Sequence, residues 1–111
     1  MRVIVHEKFC RLIKVQGITL YPWVILRDQY SKSDLVLLNH EHIHIKQQKE
    51  LWILPFYIFY LTHYLWNLLK YRDHYKAYRM ICFEREAYDH EHDFTYPNRK
   101  KWGAAFRYLI S

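Results

Sequence analysis

The sequence predicts a mainly helical α+β fold, in which a small N-terminal β-sheet precedes the helices of a single domain over residues 1–111. The chain has 111 residues, which is the size of one domain. It contains 2 Gly and 3 Pro, so few tight turns interrupt it and long helices are expected. β-Branched and aromatic residues are concentrated before residue 27, whereas apolar residues recur at helical spacing after residue 34.

Two runs near the N-terminus are typical of strands, at residues 3–5 and 18–26, with Gly17 between them. Pro22 interrupts the second run. Because proline cannot donate a ladder hydrogen bond, its position indicates an edge strand or a bulge rather than a central strand. We therefore expect residues 21–27 to form an edge of the sheet.

Four helices are predicted after the sheet. The first begins at Leu35, with Ser33 or Asp34 as its N-cap, and the second covers residues 51–69. Pro55 should kink the second helix or separate it from the first. The third covers residues 76–90, and residues 96–98 form a turn. Residues 99–110 form a short basic amphipathic helix with Trp102, Phe106 and Ile110 on one side.

The sharpest motif is His40-Glu41-His42-Ile43-His44. On a helix, His40 and His44 project from one face, where both imidazoles can bind one zinc ion. Glu41 lies one residue round from His40, so its carboxylate can take a proton from a water that the metal activates. His42 points to the opposite side and is interpreted as a surface residue or an outer neighbour of the site.

A site of this kind needs a third ligand, and Glu84 is the predicted one. It lies on the apolar stripe of the third helix, where an ionised carboxylate is costly unless it is paired or binds a metal. Glu86 falls on the other side of that helix and is predicted to be more solvated. His90 and His92 remain open as alternatives to Glu84 if the end of the helix packs against the site.

With these residues in place, the chain resembles the gluzincin class of zinc metallopeptidases. The class places its third ligand in a Glu-x-x-Ala-Asp segment, and this chain has Glu84-Arg85-Glu86-Ala87-Tyr88. Tyr88 stands where the class has Asp, and that Asp commonly orients a ligand histidine. Residues 37–57 and 83–96 also resemble small bacterial proteins described as minimal gluzincin-like, whose activity is largely unassigned.

The resemblance implies a zinc-dependent hydrolysis of peptide bonds, with Glu41 as general base. Gluzincins pair an extended peptide substrate with an edge strand above the active helix, and residues 21–27 are the matching segment. The class also uses a His, Tyr or Arg to stabilise the oxyanion, for which Tyr88, His74 and Tyr21 are the candidates. The alternative function is a non-catalytic zinc-binding or membrane-associated protein that retains the gluzincin core.

Residues 51–69 form the most apolar segment, with 15 of 19 residues apolar. As a helix it would be about 28 Å long, close to the ~30 Å hydrocarbon core of a bilayer. Thr62, His63 and Asn67 nevertheless favour a core or interfacial helix over a span, as does a mean hydropathy of −0.36. Tyr and Trp at both ends, with Lys and Arg nearby, are typical of a helix that contacts a membrane surface.

The net charge of +6 is compatible with a nucleic acid or an anionic membrane as partner. Basic and aromatic residues alternate from Arg99 to Tyr108, but no recognised nucleic-acid-binding motif accompanies them, so a nucleic-acid partner is disfavoured. Cys10 and Cys82 form neither a zinc spacing nor a disulfide framework. The N-terminal segment lacks the features of a signal peptide, so the predicted location is the cytoplasm or the inner face of the cytoplasmic membrane.

Overall fold

A computed structural model describes residues 2–109 of the chain. The strands are β1 (Arg2–Val5), β2 (Gly17–Leu20) and β3 (Trp23–Leu26). The helices are α1 (Glu7–Leu12), α2 (Leu35–Leu51), α3 (Ile53–Tyr71), α4 (His74–Arg79), α5 (Cys82–His90) and α6 (Tyr96–Arg99). Short 3-10 helices cover Tyr30–Ser33 and Ala104–Leu109. The fold is thus α+β and mainly helical, with a small N-terminal sheet before the helices, which confirms the predicted class.

The sheet has the order β1-β3-β2, with β3 parallel to β1 and antiparallel to β2. The predicted edge at residues 21–27 is therefore wrong, because β3 is the central strand. Pro22 does not lie within a strand but in the turn that joins β2 to β3, where its missing N–H interrupts no ladder. α1, which the sequence analysis did not identify, lies between β1 and β2 in the chain.

One face of the sheet packs on α2. Val24 and Leu26 of β3 form a buried cluster with Ile45 of α2. Asp34 caps α2, since its side chain accepts a hydrogen bond from the Leu37 N–H at 3.0 Å, as predicted. This packing places the first half of α2, which carries the His40–His44 motif, next to β2.

α2 and α3 are separate helices. Trp52 lies between them with a φ of +64°, in the left-handed region, which ends α2 three residues before Pro55. Pro55 falls in the first turn of α3, where a missing N–H costs nothing. The predicted separation is confirmed, but Trp52 rather than Pro55 makes the break.

The predicted helix over residues 76–90 is divided into α4 and α5 by a break at Met80 and Ile81. The buried face nevertheless persists across the break, since Ala77, Ile81 and Ala87 are all fully buried. Ile81 and Phe83 pack against Phe56 of α3 and Ala105 in a second core cluster.

The C-terminal region differs from its prediction. Residues 96–98 belong to α6, with Pro97 in its first turn, rather than to a turn. The predicted helix over residues 99–110 is a 3-10 helix from Ala104, and Trp102 is largely exposed rather than on a buried face. Ile110, predicted on the same side, lies outside the described residues. Among residues 2–109, no helix combines the length and the hydropathy that crossing a membrane requires.

Candidate metal centre

His40, His44 and Glu84 meet between α2 and α5. The two histidines lie one turn apart on α2, and Glu84 lies in the first turn of α5. The Glu84 Oε1 atom is 3.0 Å from His40 Nε2 and 3.1 Å from His44 Nε2. All three residues are at most 5% exposed. The structure thus brings together the three ligands that the sequence predicted.

The arrangement fits a transition-metal ion. The ligand atoms lie within 4.8 Å of one another. Atoms bound about 2.0–2.1 Å from one tetrahedral ion would be about 3.3–3.4 Å apart, close to the two N–O distances here. No fourth His, Cys, Asp or Glu of residues 2–109 joins the group.

Each ligand histidine has an oxygen acceptor at its other ring nitrogen. His40 Nδ1 is 3.3 Å from Glu91 Oε2, and His44 Nδ1 is 2.8 Å from Gln47 Oε1. An acceptor at Nδ1 keeps a proton there and leaves the Nε2 lone pair for a metal. Glu91 thus places a carboxylate beside the outer nitrogen of His40, although residue 88 is a tyrosine. Asn39 holds Glu91 in place, since its amide donates to the Glu91 carbonyl at 2.8 Å.

The three ligands are electrostatically coupled. Burial alone would raise the pKa of Glu84, but the imidazoles of His44 and His40 hold it well below its ordinary value. Burial alone would lower the pKa of His44, but the charge and the hydrogen bond of Glu84 raise it to about 9. Without a metal, Glu84 is thus an anion at neutral pH that pairs with a protonated His44, so a metal that binds His44 Nε2 would displace that proton.

Glu41 faces β2 rather than solvent. Its Oε2 atom accepts a hydrogen bond from the Thr19 hydroxyl at 2.6 Å, and the side chain is buried. A Cβ at Gly17 would lie 3.5 Å from Glu41 Oε1 and 3.1 Å from a methyl of Leu26, so glycine lets β2 approach this closely. Glu41 also contributes to the raised pKa of His44, which places its charge within electrostatic reach of the metal ligands.

Tyrosines of α3 close the other side of the centre. The Tyr60 hydroxyl donates to Glu84 Oε2 at 2.7 Å, which leaves Oε1 facing the histidines. Burial and the neighbouring Glu84 charge raise the pKa of Tyr60 well above its ordinary value, so this hydroxyl remains a donor. The Tyr57 hydroxyl donates to the Thr19 carbonyl of β2.

Gln48 occupies part of the outer edge of β2. Its amide nitrogen donates to the Thr19 carbonyl at 2.9 Å, and its Oε1 accepts from the Tyr21 N–H at 2.8 Å. These are the two bonds that an added strand would make with β2 at these positions. The resemblance implied an extended peptide along residues 21–27, but β3 is central, and the free edge at β2 carries a side-chain amide at these positions.

A buried polar network extends from the centre on its far side. Gln47 donates from its amide to the Phe83 carbonyl at 3.0 Å and to Glu86 Oε1 at 2.8 Å. Glu86 also accepts from the Tyr96 hydroxyl at 2.5 Å and lies 3.5 Å from Lys100 Nζ. The prediction that Glu86 is solvated is wrong, because it is fully buried. Its partners come from distant segments that its position on the helix does not reveal.

The three candidate oxyanion stabilisers lie in different surroundings. The Tyr88 ring contacts the His40 ring with centroids 4.4 Å apart, and its hydroxyl is 2.9 Å from the Tyr78 hydroxyl. His74 is exposed and pairs with the Tyr64 hydroxyl at 2.6 Å. Tyr21 packs against the cluster between the sheet and α2. Of the three, Tyr88 is the one that contacts a metal ligand.

The other histidines near the motif have different partners. His90 stacks on Tyr96 with centroids 3.7 Å apart, and His92 is exposed. His42 is half-buried and lines a shallow depression beside Asn39 and Phe94. None of these three belongs to the group formed by the described metal ligands.

Several residues of the site were not predicted, namely Thr19, Gln47, Tyr57, Tyr60 and Glu91. Three of them, Gln47, Tyr57 and Tyr60, carried a signal in the sequence. Gln47 lies three residues after His44 on the same helix, so it is a neighbour of that ring. Tyr57 and Tyr60 are three residues apart in an otherwise apolar helix. Their two hydroxyl groups therefore lie on the same side of that helix.

No family model, curated protein or solved structure matches this chain. The function is therefore inferred from the metal centre itself. The centre combines two histidines and one carboxylate as ligands, an adjacent buried glutamate, and an acceptor at the outer nitrogen of each histidine.

Proposed function

We propose that the protein binds Zn²⁺ through His40, His44 and Glu84 and hydrolyses peptide bonds, with Glu41 as general base. The observation that carries the proposal is the convergence of three buried ligands without a fourth from the described residues. Structural zinc sites have four protein ligands, whereas catalytic sites have three and keep one position for water or substrate.

The choice of zinc follows from the donor atoms. Two imidazole nitrogens and one carboxylate oxygen suit zinc, whereas Mg²⁺ and Ca²⁺ prefer sites made of oxygen alone. Gln47 and Glu91 support this choice, because the Gln47 oxygen is hydrogen-bonded to the outer nitrogen of His44 and a Glu91 oxygen lies 3.3 Å from the outer nitrogen of His40.

A zinc ion in such a site acts as a Lewis acid and lowers the pKa of water toward neutrality. The Glu41 carboxylate accepts a proton from the attacking water and delivers it to the leaving amine. The Thr19 hydroxyl positions the Glu41 carboxylate through its hydrogen bond to Oε2. Tyr88, which lies against His40, is the favoured group to donate to the developing oxyanion.

A second candidate function, a non-catalytic zinc site, is favoured by two observations. The ligands and Glu41 are all at most 5% exposed. The Gln48 amide also takes the two backbone bonds of β2 that an extended substrate would need. A peptide could pair with β2 there after Gln48 has moved aside.

Peptide cleavage by the zinc-loaded protein separates the two functions. The substrate would be a peptide library prepared from a proteome digest, and new termini would be counted by mass spectrometry. The peptidase predicts cleavage by the wild type that Glu41→Gln abolishes, although zinc remains bound. Glu7→Gln is the matched control, because Glu7 is exposed on α1 and pairs with Arg11.

Gln48→Ala provides a further arm of this experiment. If Gln48 blocks the strand edge, the variant should cleave at least as fast as the wild type. If neither the wild type nor Gln48→Ala cleaves any peptide while zinc is bound, hydrolysis is excluded and the non-catalytic site remains.

A further inference from the structure

α3 presents an apolar face outward. Its exposed side includes Leu54, Ile58, Leu61, Leu65 and Leu69, each at least 50% exposed. At 100° per residue these five side chains fall within an arc of about 80°, so they form one continuous stripe along the helix. A continuous apolar stripe on a protein surface marks an interaction site.

Aromatic residues lie at the N-terminal end of this stripe. Trp52 precedes α3 and is 77% exposed. Trp102 is brought to the same end, because its indole N–H donates to the Glu50 carbonyl at 3.1 Å, and it is 70% exposed. Tryptophan has an apolar body and a polar tip, and it is enriched where a protein meets the lipid headgroups.

The two ends of α3 are basic. Lys49 is exposed shortly before the helix, and Lys70 and Arg72 are exposed at its end. The sequence contains no Asp or Glu between residues 51 and 72. An apolar stripe with cationic ends and no acidic residue complements a bilayer that carries anionic headgroups.

A second copy of the chain fits this face less well. A parallel pairing of two α3 helices would place Lys70 and Arg72 beside the same residues of the other copy. An antiparallel pairing would bring them toward Lys49. Both arrangements oppose like charges, and Asp73, the exposed carboxylate that follows Arg72, offsets only one of the three cations.

We propose that the outer face of α3 docks on the surface of an anionic lipid bilayer. Docking would leave the opposite side of α3 facing the metal centre, because Tyr60 reaches Glu84 from that side. The centre would then lie about one helix diameter, ~10 Å, from the membrane surface. This proposal does not depend on hydrolysis, because it concerns a separate face of the molecule.

Sedimentation of the full-length protein with lipid vesicles tests the proposal. The vesicles would contain phosphatidylcholine alone or phosphatidylcholine with 30% phosphatidylglycerol, about the anionic fraction that a polybasic surface needs. We expect sedimentation with the anionic vesicles and loss of at least 90% of it in a Leu61→Glu/Leu65→Glu variant, since two carboxylates would enter the headgroup region. Leu12→Glu, at a leucine of α1 that is 78% exposed, should bind like the wild type.

The basic ends provide an independent readout. Lys70→Gln and Arg72→Gln should each weaken binding to the anionic vesicles about fivefold, and added salt should do the same. Unchanged circular dichroism would show that each variant is folded.

Two results would overturn the proposal. One is wild-type protein that does not sediment with anionic vesicles, or a Leu61→Glu/Leu65→Glu variant that binds as tightly as the wild type. The other is a dimer by light scattering that the double variant converts to a monomer, which would assign the face to a second copy of the chain.

Discussion

α2 and α3 are the two longest helices and follow each other directly, yet they distribute their side chains in opposite ways. α2 buries six polar residues, namely Asn39, His40, Glu41, His44, Gln47 and Gln48. α3 buries Phe56 and Asn67 and exposes most of its leucines. An ordinary surface helix buries its apolar stripe and exposes its polar one.

The difference is consistent with the two proposals, a metal ion as the partner of α2 and a lipid surface as the partner of α3. Burial of polar groups on α2 is tolerated because they are satisfied: among the described residues, no buried side-chain nitrogen or oxygen lacks a hydrogen-bond partner. The exposed apolar stripe of α3 has no such compensation within residues 2–109. We therefore interpret α2 as the metal-binding helix and α3 as the docking helix.

The largest effect on stability is expected where a buried charge would lose its partner. Lys100→Ala removes the ammonium group that pairs with the Glu50 carboxylate and lies 3.5 Å from the fully buried Glu86, so the free energy of unfolding should fall by about 3–5 kcal/mol. The neighbouring Lys101 is exposed, and Lys101→Ala should change the free energy of unfolding by less than about 0.5 kcal/mol. Urea denaturation of both variants measures the difference, and equal values would show that Lys100 does not balance Glu86.

The next largest effect tests the polar interior of α2 directly. Gln47→Leu keeps the side-chain volume but leaves His44 Nδ1, the Phe83 carbonyl and Glu86 Oε1 without their shared partner. We expect a loss of about 2–3 kcal/mol by urea denaturation. An unchanged or raised stability would mean that an apolar contact can replace this amide, which would weaken the distinction between the two helices.

A smaller effect should appear in metal affinity. Glu91→Ala removes the carboxylate 3.3 Å from His40 Nδ1, so zinc binding should weaken about tenfold. Competition with a chelating dye measures the affinity. Glu7→Ala is the matched control and should leave the affinity unchanged. If both variants bind zinc equally, Glu91 does not orient the ligand ring.

The smallest effect is expected on α3. Leu65→Gln replaces a half-exposed leucine with an amide, and the free energy of unfolding should change by less than about 0.5 kcal/mol. A loss above about 2 kcal/mol in the same denaturation series would show that Leu65 belongs to the core and not to a free face.

The convergence of His40, His44 and Glu84 could be predicted from the sequence because each residue has a local signal. The spacing of His40 and His44 places both on one helix face, and Glu84 stands alone on an apolar stripe that persists through the break at Met80 and Ile81. Helical periodicity indicates which face is buried even when the helix is divided. The position of Glu84 on the buried face could therefore be predicted without the exact helix boundaries.

The errors concern contacts between residues distant in sequence. β3 is central because β1 returns beside it, and nothing within residues 21–27 encodes that pairing. Glu86 is buried because Gln47, Tyr96 and Lys100 converge on it from two other segments. The charge and spacing of residues along one helix do not reveal such partners. The Glu86 carboxylate was therefore predicted to be solvated, although it is buried.

The central claim is that α2 and α5 together form a zinc site. The most direct test is the metal content of tag-free protein, measured by mass spectrometry for the wild type, His40→Ala, Glu84→Ala and His92→Ala. His92 is the matched control, because it is exposed and lies outside the ligand group. We expect about one zinc per chain in the wild type and in His92→Ala, and loss of zinc in the other two variants. A wild type that binds no zinc after incubation with the metal, or Glu84→Ala that retains it fully, would contradict the account.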